Sequence, residues 1–501
     1  MGDWQQAPPY PSLSNAAGKQ LDFFLKLGDT IYADTPTPDM LPYPTKVQAR
    51  TLEDFRIKHA EVLSLRDDLG ETVNTNPMLS LYRSTTIRAT IDDHELVDNF
   101  AGGAAPADSP DAEDVHPGEP TLYDNVPFVN QTQSYQWAMQ AFDEYHPMRT
   151  QVWNGTGDVR VDGRPKLYRH QNHGSDASMT MLDSRSFRDA QVAPVANPLD
   201  PAAISAFLAS TFAPDRTLLG KPQLAQLKAD LLADQAAGVT WKFVVIPEPI
   251  QNFGVVNAED RFEGYAAERT ELLAFIDQAG IDNVVFLAGD FHGTIINNLA
   301  YQVPTANGLV SVPTNAFEIV TGPAAFFNGT FGPAVVNIAE NAGLVAPGTS
   351  QLYNMLPIAP DTSDTDFVQL LPGVFLPNDR DDFIEALINA QTSPLGYDPV
   401  GLDNNLPNAN LINATLLQGD YVVANTFSWA EFEIDALTQV LTVNIWGVDA
   451  FPAPDTLDAL LAASALTPRL LSQFSVTPVP EPATVLLLGL PLVGLLSRRR
   501  R

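Results

Sequence analysis

Four apolar runs of the chain each end in an acidic residue or a histidine. The run in LDFFLKLGD ends at Asp29, and the run in NVVFLAGDFHG ends at Asp290, with His292 two residues later. The run in TTIRATIDDHE ends in the acids and histidine of residues 92–95, and WKFVVIPEP ends at Glu248 between prolines. Carboxylates that meet in one place repel one another unless cations neutralise them. If the four run ends meet, the chemistry that they predict is that of a dinuclear metal site.

Each of these motifs has a simpler interpretation when it is taken singly. A Gly-Asp pair after a strand is ordinary turn chemistry. The Asp-Asp-His-Glu motif of residues 92–95 can be the first turn of a helix, where acids are favourable. His292 can be a structural histidine. The occurrence of all four motifs at the ends of apolar runs favours a shared metal site over four separate structural roles.

The elements that must position these residues are predicted strands that alternate with predicted helices, a pattern typical of α/β proteins. The strands are predicted at 21–28, 85–91, 178–183, 241–247 and 283–289, and the helices at 131–145, 219–237 and 263–279. Ligands of open α/β sheets bind outside the carboxyl ends of the strands, so we expect the four run ends to meet at one edge of a sheet. Residues 421–448 predict a β-hairpin with its turn near 435–438, and the loop-rich region 300–420 allows no assignment.

Composition narrows the classes of partner and metal. The 501 residues include 60 acids against 28 Lys and Arg, a net charge of −32, which disfavours binding to nucleic acid. The chain has no cysteine, so disulfides, thiolate metal sites and cysteine nucleophiles are excluded. A metal bound by this chain must therefore take oxygen and imidazole ligands.

Five motifs carry a resemblance to a known family. LKLGDTIYAD, IDDHELVDNF, MTMLDSRSFRD, LLGKPQLAQLKADLL and NVVFLAGDFHG resemble, in that order over about residues 20 to 320, the PhoD-type alkaline phosphatases, a branch of the calcineurin-like metallophosphoesterases. The resemblance implies a four-layer α/β/β/α sandwich and hydrolysis of phosphate monoesters or diesters with two metal ions. It also implies that the first strand of this fold is missing from the chain, with Gly-Asp-Trp at residues 2–4 as its end.

The resemblance implies a ligand set for the two ions. Asp29 would bridge them, Asp93 would bind the second ion, and Asp290 and His292 would complete the two coordination shells. Tyr32 would supply a phenolate, a ligand that favours trivalent iron, although it can also be an aromatic residue of the rim.

Two further ligands and the identity of the metals follow from the same resemblance. Asp3 would be the ligand from the end of the first strand, and Glu248 would be a ligand of the second ion. The expected metals are Fe³⁺ and Ca²⁺, with Mn²⁺ or Zn²⁺ as alternatives.

Two residues are expected to act on the substrate rather than on the metals. His94 would face the leaving-group oxygen as a general acid or electrostatic donor. Arg185 would clamp the phosphate, and its alternative is a salt bridge to Asp183 or Asp189. The activity implied is that of a metal-dependent phosphatase acting on phosphate ester substrates. The alternatives are a phosphodiesterase or phospholipase D-like enzyme and a non-catalytic cell-surface binding protein on the same scaffold.

The C-terminus predicts a sorting tail. A Val-Pro-Glu-Pro sequence at 479–482 precedes an apolar run at 483–496 and four arginines at 498–501. This tail resembles the PEP-CTERM signal of Gram-negative bacteria, which implies a single membrane-anchoring span, processing by an exosortase, and a destination in the cell envelope or outside the cell. Its alternative is a C-terminal core helix. Because no N-terminal signal is present, we expect the natural start to lie upstream. The predicted organisation is a phosphatase domain at 1–450, a spacer at 451–478 and the tail at 479–501.

Overall fold

The computed structural model describes residues 1–5, 7–36, 48–73, 76–109, 120–306, 308–326, 330–358, 360, 366–402 and 411–480. The strands are β1 (Phe23–Leu27), β2 (Thr86–Thr90), β3 (Arg169–His173), β4 (Ala177–Met181), β5 (Trp241–Val245), β6 (Val284–Ala288), β7 (Thr294–Thr305), β8 (Gly308–Val320), β9 (Phe367–Leu371), β10 (Val374–Pro377), β11 (Asn413–Gln418), β12 (Val422–Val423), β13 (Thr426–Ile434), β14 (Leu441–Asp449) and β15 (Arg469–Thr477). The helices are α1 (Leu52–Val62), α2 (Pro77–Ser84), α3 (Gln133–Tyr145), α4 (Pro201–Thr211), α5 (Lys221–Ala237), α6 (Ala266–Gln278), α7 (Phe331–Asn341), α8 (Thr349–Tyr353), α9 (Arg380–Thr392) and α10 (Leu457–Ser464).

A seven-stranded mixed sheet runs in the order β12-β7-β8-β6-β5-β4-β3. The strands β4, β5, β6 and β8 are parallel neighbours, and they are apolar because both faces of such a sheet are covered. The helices α5 and α6 connect β4 to β5 and β5 to β6, as parallel pairing requires. Leucines of both helices pack on one face of the sheet: Leu224, Leu227, Leu272 and Leu273.

A second β layer covers the other face of that sheet. It includes the antiparallel sheet β11-β15-β14-β13 and the parallel pair β1-β2. Side chains of both layers form one core between them, among them Val285 and Phe317 from the large sheet and Val443 and Phe474 from the small one. Helices α1 and α3 pack on the outer side of the second layer, where their buried side chains belong to the same core cluster as Phe24 of β1 and Trp429 of β13. The predicted α/β/β/α sandwich is therefore confirmed.

The first five residues form backbone hydrogen bonds with the end of β1 on one side and with the loop that follows β8 on the other. The Leu27 N–H donates to the Met1 carbonyl and the Trp4 N–H donates to the Asp29 carbonyl. On the other side, the N–H groups of Ala324 and Ala325 donate to the carbonyls of residues 2 and 3. This segment therefore lies beside the end of β1, and it brings Asp3 to the level of the strand ends.

Residues 469–477, which the sequence analysis assigns to a spacer, instead form β15 in the interior of the four-stranded sheet, between β11 and β14. Ser472, Phe474 and Val476 are buried there, at alternate positions as is typical of a strand. The unassigned region 300–420 contains the elements from the end of β7 to β11. Just before this region, Asn297 and Asn298 do not mark a loop, because they are buried in β7 and donate to Glu318 and Asp398.

The predicted hairpin at 421–448 is present as β13 and β14, and its turn is stabilised by Asp435, which accepts from the N–H groups of Leu437 and Thr438. Nearly the whole of the predicted sorting tail, residues 481–501, lies outside the described residues. Among the residues that the structure describes, no helix has the length and apolar character needed to cross a bilayer.

Candidate active site

The four predicted run ends meet, although they belong to two β layers rather than to one sheet edge. β1 and β2 lie in the second layer, whereas β5 and β6 lie in the seven-stranded sheet. Gly28 permits the approach: a Cβ at this position would lie 2.6 Å from the Asp92 Cβ and 3.1 Å from the Pro247 Cβ. The glycine before Asp290 has a similar role, because a Cβ on Gly289 would lie 3.1 Å from a backbone oxygen of β1. The Gly-Asp pairs are therefore required for close packing as well as for turning.

The residues at these ends have unusual backbone conformations. Asp3, Asp29, Asp290 and His292 all have positive φ, at 63°, 48°, 60° and 56°. Aspartate and histidine tolerate the left-handed region better than most residues, yet each still carries strain of about 1 kcal/mol. Strain of this kind is concentrated at functional sites, where the surrounding structure maintains it.

Among the residues that the structure describes, the acids and histidines form three overlapping groups, and within each group the potential ligand atoms lie within 4.8 Å of one another. The groups are Asp3, Asp29 and His292; Asp29, Asp93 and His94; and Asp29, Asp92, Asp93 and Asp290. Asp29 belongs to all three, which is the position that a carboxylate shared by two ions would take. The Tyr32 hydroxyl lies 3.0 Å from Asp29 Oδ2 and 3.2 Å from His292 Nε2, so the phenol is also in this cluster.

The donor set fits metal ions, because buried carboxylate oxygens here lack other partners. Asp3 is completely buried, and neither of its oxygens accepts a hydrogen bond from the described residues; His292 Nε2 is 3.5 Å away. Asp92 Oδ2 is likewise without a hydrogen bond within the described part of the chain. A buried carboxylate is costly unless it is paired or coordinates a metal. Oxygen and imidazole ligands suit hard cations.

The electrostatics of the cluster indicate the same need for positive charge. Burial, followed by the neighbouring Asp92 carboxylate, raises the pKa of Asp3 to about 7. Burial and the carboxylates of Asp93 and Asp92 raise the pKa of Asp29 well above its ordinary range. Asp290 shows the same effect from burial and the same two acids. Cations bound among these residues would restore the charged carboxylates.

Arg185 does not have the exposure that the predicted phosphate clamp requires. Its side chain is fully buried, with Nε 2.5 Å from Asp92 Oδ1 and Nη1 2.8 Å from Asp260 Oδ2. The geometry therefore agrees better with the alternative of a salt bridge. The partners, however, are Asp92 and Asp260 rather than Asp183 or Asp189. Asp183 instead accepts the backbone N–H of Arg185. The guanidinium holds Asp92 in the acid cluster.

Glu248 lies at the end of β5 as predicted, but it belongs to none of the three acid and histidine groups. It is completely buried, it forms an ion pair with Arg188, and it lies 3.2 Å from Arg185 Nε. Its charge is therefore neutralised by arginines, and the geometry favours a structural role over metal ligation. The sequence predicted that Glu248 lies at a strand end, but it did not predict the direction in which this side chain points.

His94 is held by a carboxylate that the sequence analysis missed. Its Nδ1 lies 2.8 and 2.9 Å from the two oxygens of Asp34, and its ring stacks on Tyr32 with centroids 3.9 Å apart. Burial opposes charge on the imidazole, but the carboxylates of Asp34 and Asp93 outweigh it and raise the pKa of His94 well above its ordinary value. Asp34 is the second acid of LGDTIYAD, and its place in this motif was the signal that could have identified it. The separation of Asp34 and His94 along the chain gave no indication of their contact.

A buried glutamate fixes the two loops of the second layer to each other. Glu95 Oε1 accepts from the N–H and the hydroxyl of Thr30, at 2.5 and 2.6 Å, and Oε2 accepts from the Asp92 N–H at 2.7 Å. Thr30 follows Asp29 directly, so this glutamate sets the distance between Asp29 and the acids that follow β2. All four residues of the motif at 92–95 therefore lie in or against the cluster. Asp92 and Glu95 support it, in addition to the two predicted residues, Asp93 and His94.

Comparisons with known proteins identify the family of this chain. The family model of the PhoD-like phosphatases matches residues 2–347. Alkaline phosphatase D of Bacillus subtilis is 28% identical over 306 residues, which cover 58% of this chain and 44% of that protein. A solved structure described as the structure of PhoD matches with a TM-score of 0.47 and 22% identity, over 65% of this chain and 55% of the other. The chain thus spans about half the length of these relatives. The extent of the family match shows that this chain belongs to the PhoD-like phosphatase family.

Proposed function

We propose that this chain is a metal-dependent phosphatase that hydrolyses phosphate monoesters. The observation that carries the proposal is the convergence of three acid and histidine groups on one residue, Asp29. Without cations, this cluster of carboxylates would repel a phosphate dianion. The cluster is therefore compatible with phosphate binding only when metal ions are bound. Alkaline phosphatase D, named above, supports the class of reaction.

We propose Fe³⁺ and Ca²⁺ as the two metals. The phenol of Tyr32, beside Asp29 and His292, is the kind of ligand that favours a hard trivalent ion. The all-carboxylate group that includes Asp93 and Asp290 offers the oxygen ligands that Ca²⁺ prefers. Mn²⁺ or Zn²⁺ in place of either ion would be distinguished by elemental analysis of the purified protein.

The side chains of the site have separate tasks in the proposed reaction. When bound, two cations lower the pKa of a shared water and neutralise the phosphate oxygens. His94 is 14% exposed, and the Asp34 carboxylate favours its protonated form, so it can donate a proton to the leaving-group oxygen. Stacking on Tyr32 fixes the plane of the imidazole. Arg185 is a positioning residue, because it is fully buried and its Nε donates to Asp92.

Turnover of p-nitrophenyl phosphate and bis-p-nitrophenyl phosphate by the full chain tests the proposal. We expect metal-dependent hydrolysis of the monoester that is abolished by Asp29→Asn and retained by Asp458→Asn, which changes an exposed acid of α10. Faster turnover of the diester would favour a phosphodiesterase. A folded, metal-loaded protein with no turnover of either ester would favour a non-catalytic binding protein.

We also propose that the protein functions in the cell envelope or outside the cell. The support is the tail of residues 479–501, whose proposed roles are single-span membrane anchoring and processing by an exosortase. Fractionation of cells that express the chain with and without this tail tests the proposal. Equal distribution of the two forms would contradict a sorting role.

A further inference from the structure

A cavity of about 660 Å³ adjoins the acid and histidine cluster. Asp290 and His292 belong to the cluster and also line the cavity. A phosphate ester held by the cluster would therefore place its alcohol portion beside the cavity. The side chain between them in sequence, Phe291, also lines the cavity. The turn after β6 therefore contributes polar groups to the cluster and an aromatic group to the cavity.

The wall next to the cluster is aromatic. Phe291 stacks on Phe331 with ring centroids 3.5 Å apart, and Phe253 lies 4.6 Å from Phe291. Aliphatic side chains of two helices extend this wall, namely Val335 and Ile338 of α7 and Leu387 and Ile388 of α9. The α9 part of the wall lies beyond residue 347, where the family match ends. This surface is therefore partly built by a segment that the shared family region does not include.

Several polar groups of the lining are already engaged with protein partners. Asp260 accepts from the guanidinium groups of Arg185 and Arg188. Gln191 Nε2 donates to Asp260 Oδ1 at 2.7 Å, and Arg261 lies 3.2 Å from Glu263 Oε1. A ligand group that enters the cavity next to the cluster would thus meet mainly the aromatic and aliphatic wall, and sugar hydroxyls packed against that wall would be buried without replacement hydrogen bonds.

We infer that the cavity receives the alcohol portion of the substrate and that this portion is apolar, as in an alkyl or aryl phosphate ester. The inference rests on the proposed phosphatase function and adds the substrate class to it. A sugar phosphate or a nucleotide is disfavoured, because the aromatic and aliphatic wall next to the cluster offers no partners for its hydroxyls or additional phosphates.

Turnover of a homologous series tests the inference. Burial of each additional methylene should raise kcat/KM about fourfold, so hexyl phosphate should exceed ethyl phosphate by about two orders of magnitude. Glucose 6-phosphate should be a poorer substrate than hexyl phosphate. The substitution Ile338→Asn, at a side chain that is 38% exposed on the cavity rim, should lower the hexyl-to-ethyl ratio at least tenfold. Leu461→Asn, at a 47% exposed leucine of α10 outside the cavity, should leave the ratio unchanged.

A binding measurement separates the inference from the proposed function. We expect hexylphosphonate, which is not hydrolysed, to bind more tightly than ethylphosphonate in calorimetry, with the difference reduced in Ile338→Asn. This result without turnover of any phosphate would sink the phosphatase proposal and keep the apolar ligand site. Turnover without dependence on chain length, or a preference for glucose 6-phosphate, would overturn the inference and leave the phosphatase. Absence of both turnover and chain-length-dependent binding would overturn both.

Discussion

Gly28→Ala is the substitution whose cost follows most directly from the structure. Gly28 has φ +92°, and an added Cβ would lie 2.6 Å from the Asp92 Cβ and 3.1 Å from both the Asp92 nitrogen and the Pro247 Cβ. The left-handed conformation costs an alanine about 1 kcal/mol. Overpacking in a dense interior adds about 1–3 kcal/mol. The free energy of unfolding should therefore fall by about 2–4 kcal/mol.

A matched glycine separates the two contributions. Gly238 ends α5 with φ +71°, and a Cβ added there would meet no atom within 4 Å. Gly238→Ala should therefore show only the conformational cost of about 1 kcal/mol. Urea unfolding followed by circular dichroism would measure both variants. Equal losses of stability would refute the reasoning that the loops after β1 and β2 are packed too closely for a side chain.

Three further predictions concern charged groups around the site. Glu248→Gln should lower the free energy of unfolding by about 1–3 kcal/mol in urea unfolding, since it leaves Arg188 with Asp260 as its remaining carboxylate partner, and it should keep the metal content found by elemental analysis. Asp34→Asn should lower kcat for alkyl phosphates by about 10²-fold with metal retained, because His94 loses the carboxylate that holds its proton. Burial lowers the pKa of Lys26 to about 7, so between about pH 7 and pH 10 the unfolded chain binds this proton more completely than the folded one, and the burial penalty fades as the pH rises through this window. Lys26→Met should therefore raise the melting temperature at pH 7, with a smaller gain at pH 10.

Each of these three predictions has a specific contrary result. Loss of bound metal in Glu248→Gln would return that glutamate to the ligand set. An unchanged kcat in Asp34→Asn would show that His94 needs no carboxylate partner or takes no part in proton transfer. A gain in melting temperature for Lys26→Met that is equal at pH 7 and pH 10 would mean that the lysine does not carry a burial penalty.

The sequence predicted the parts of the site that depend on local pattern. An apolar run followed by Gly-Asp identifies a buried strand and the acid at its tip, and Asp29 and Asp290 are found in such positions. The same pattern gave Glu248, whose side chain turns toward two arginines instead. The rule locates a backbone position and does not give the direction of a side chain. For Arg185 the decisive partner, Asp260, is 75 residues away, a separation that no local pattern reveals.

The fold shows the same division between local and long-range information. Helices α5 and α6 and strands β4, β5 and β6 were predictable because propensity, periodicity and burial agree along them. β7 was obscured by Asn297 and Asn298, whose amides become acceptable in a core only when distant carboxylates pair with them. β15 has the alternation of a strand, but it follows a helix near the end of the chain, and its partners β11 and β14 are set by tertiary packing.

Anomalous diffraction from crystals of the metal-loaded protein would test whether two metal ions share Asp29. We expect two ions, both in contact with the Asp29 carboxylate, one toward Asp3 and His292 and the other toward Asp93. We also expect that no ion contacts Glu248. A single ion, or two ions of which neither touches Asp29, would contradict the assignment of this cluster as a dinuclear phosphatase site.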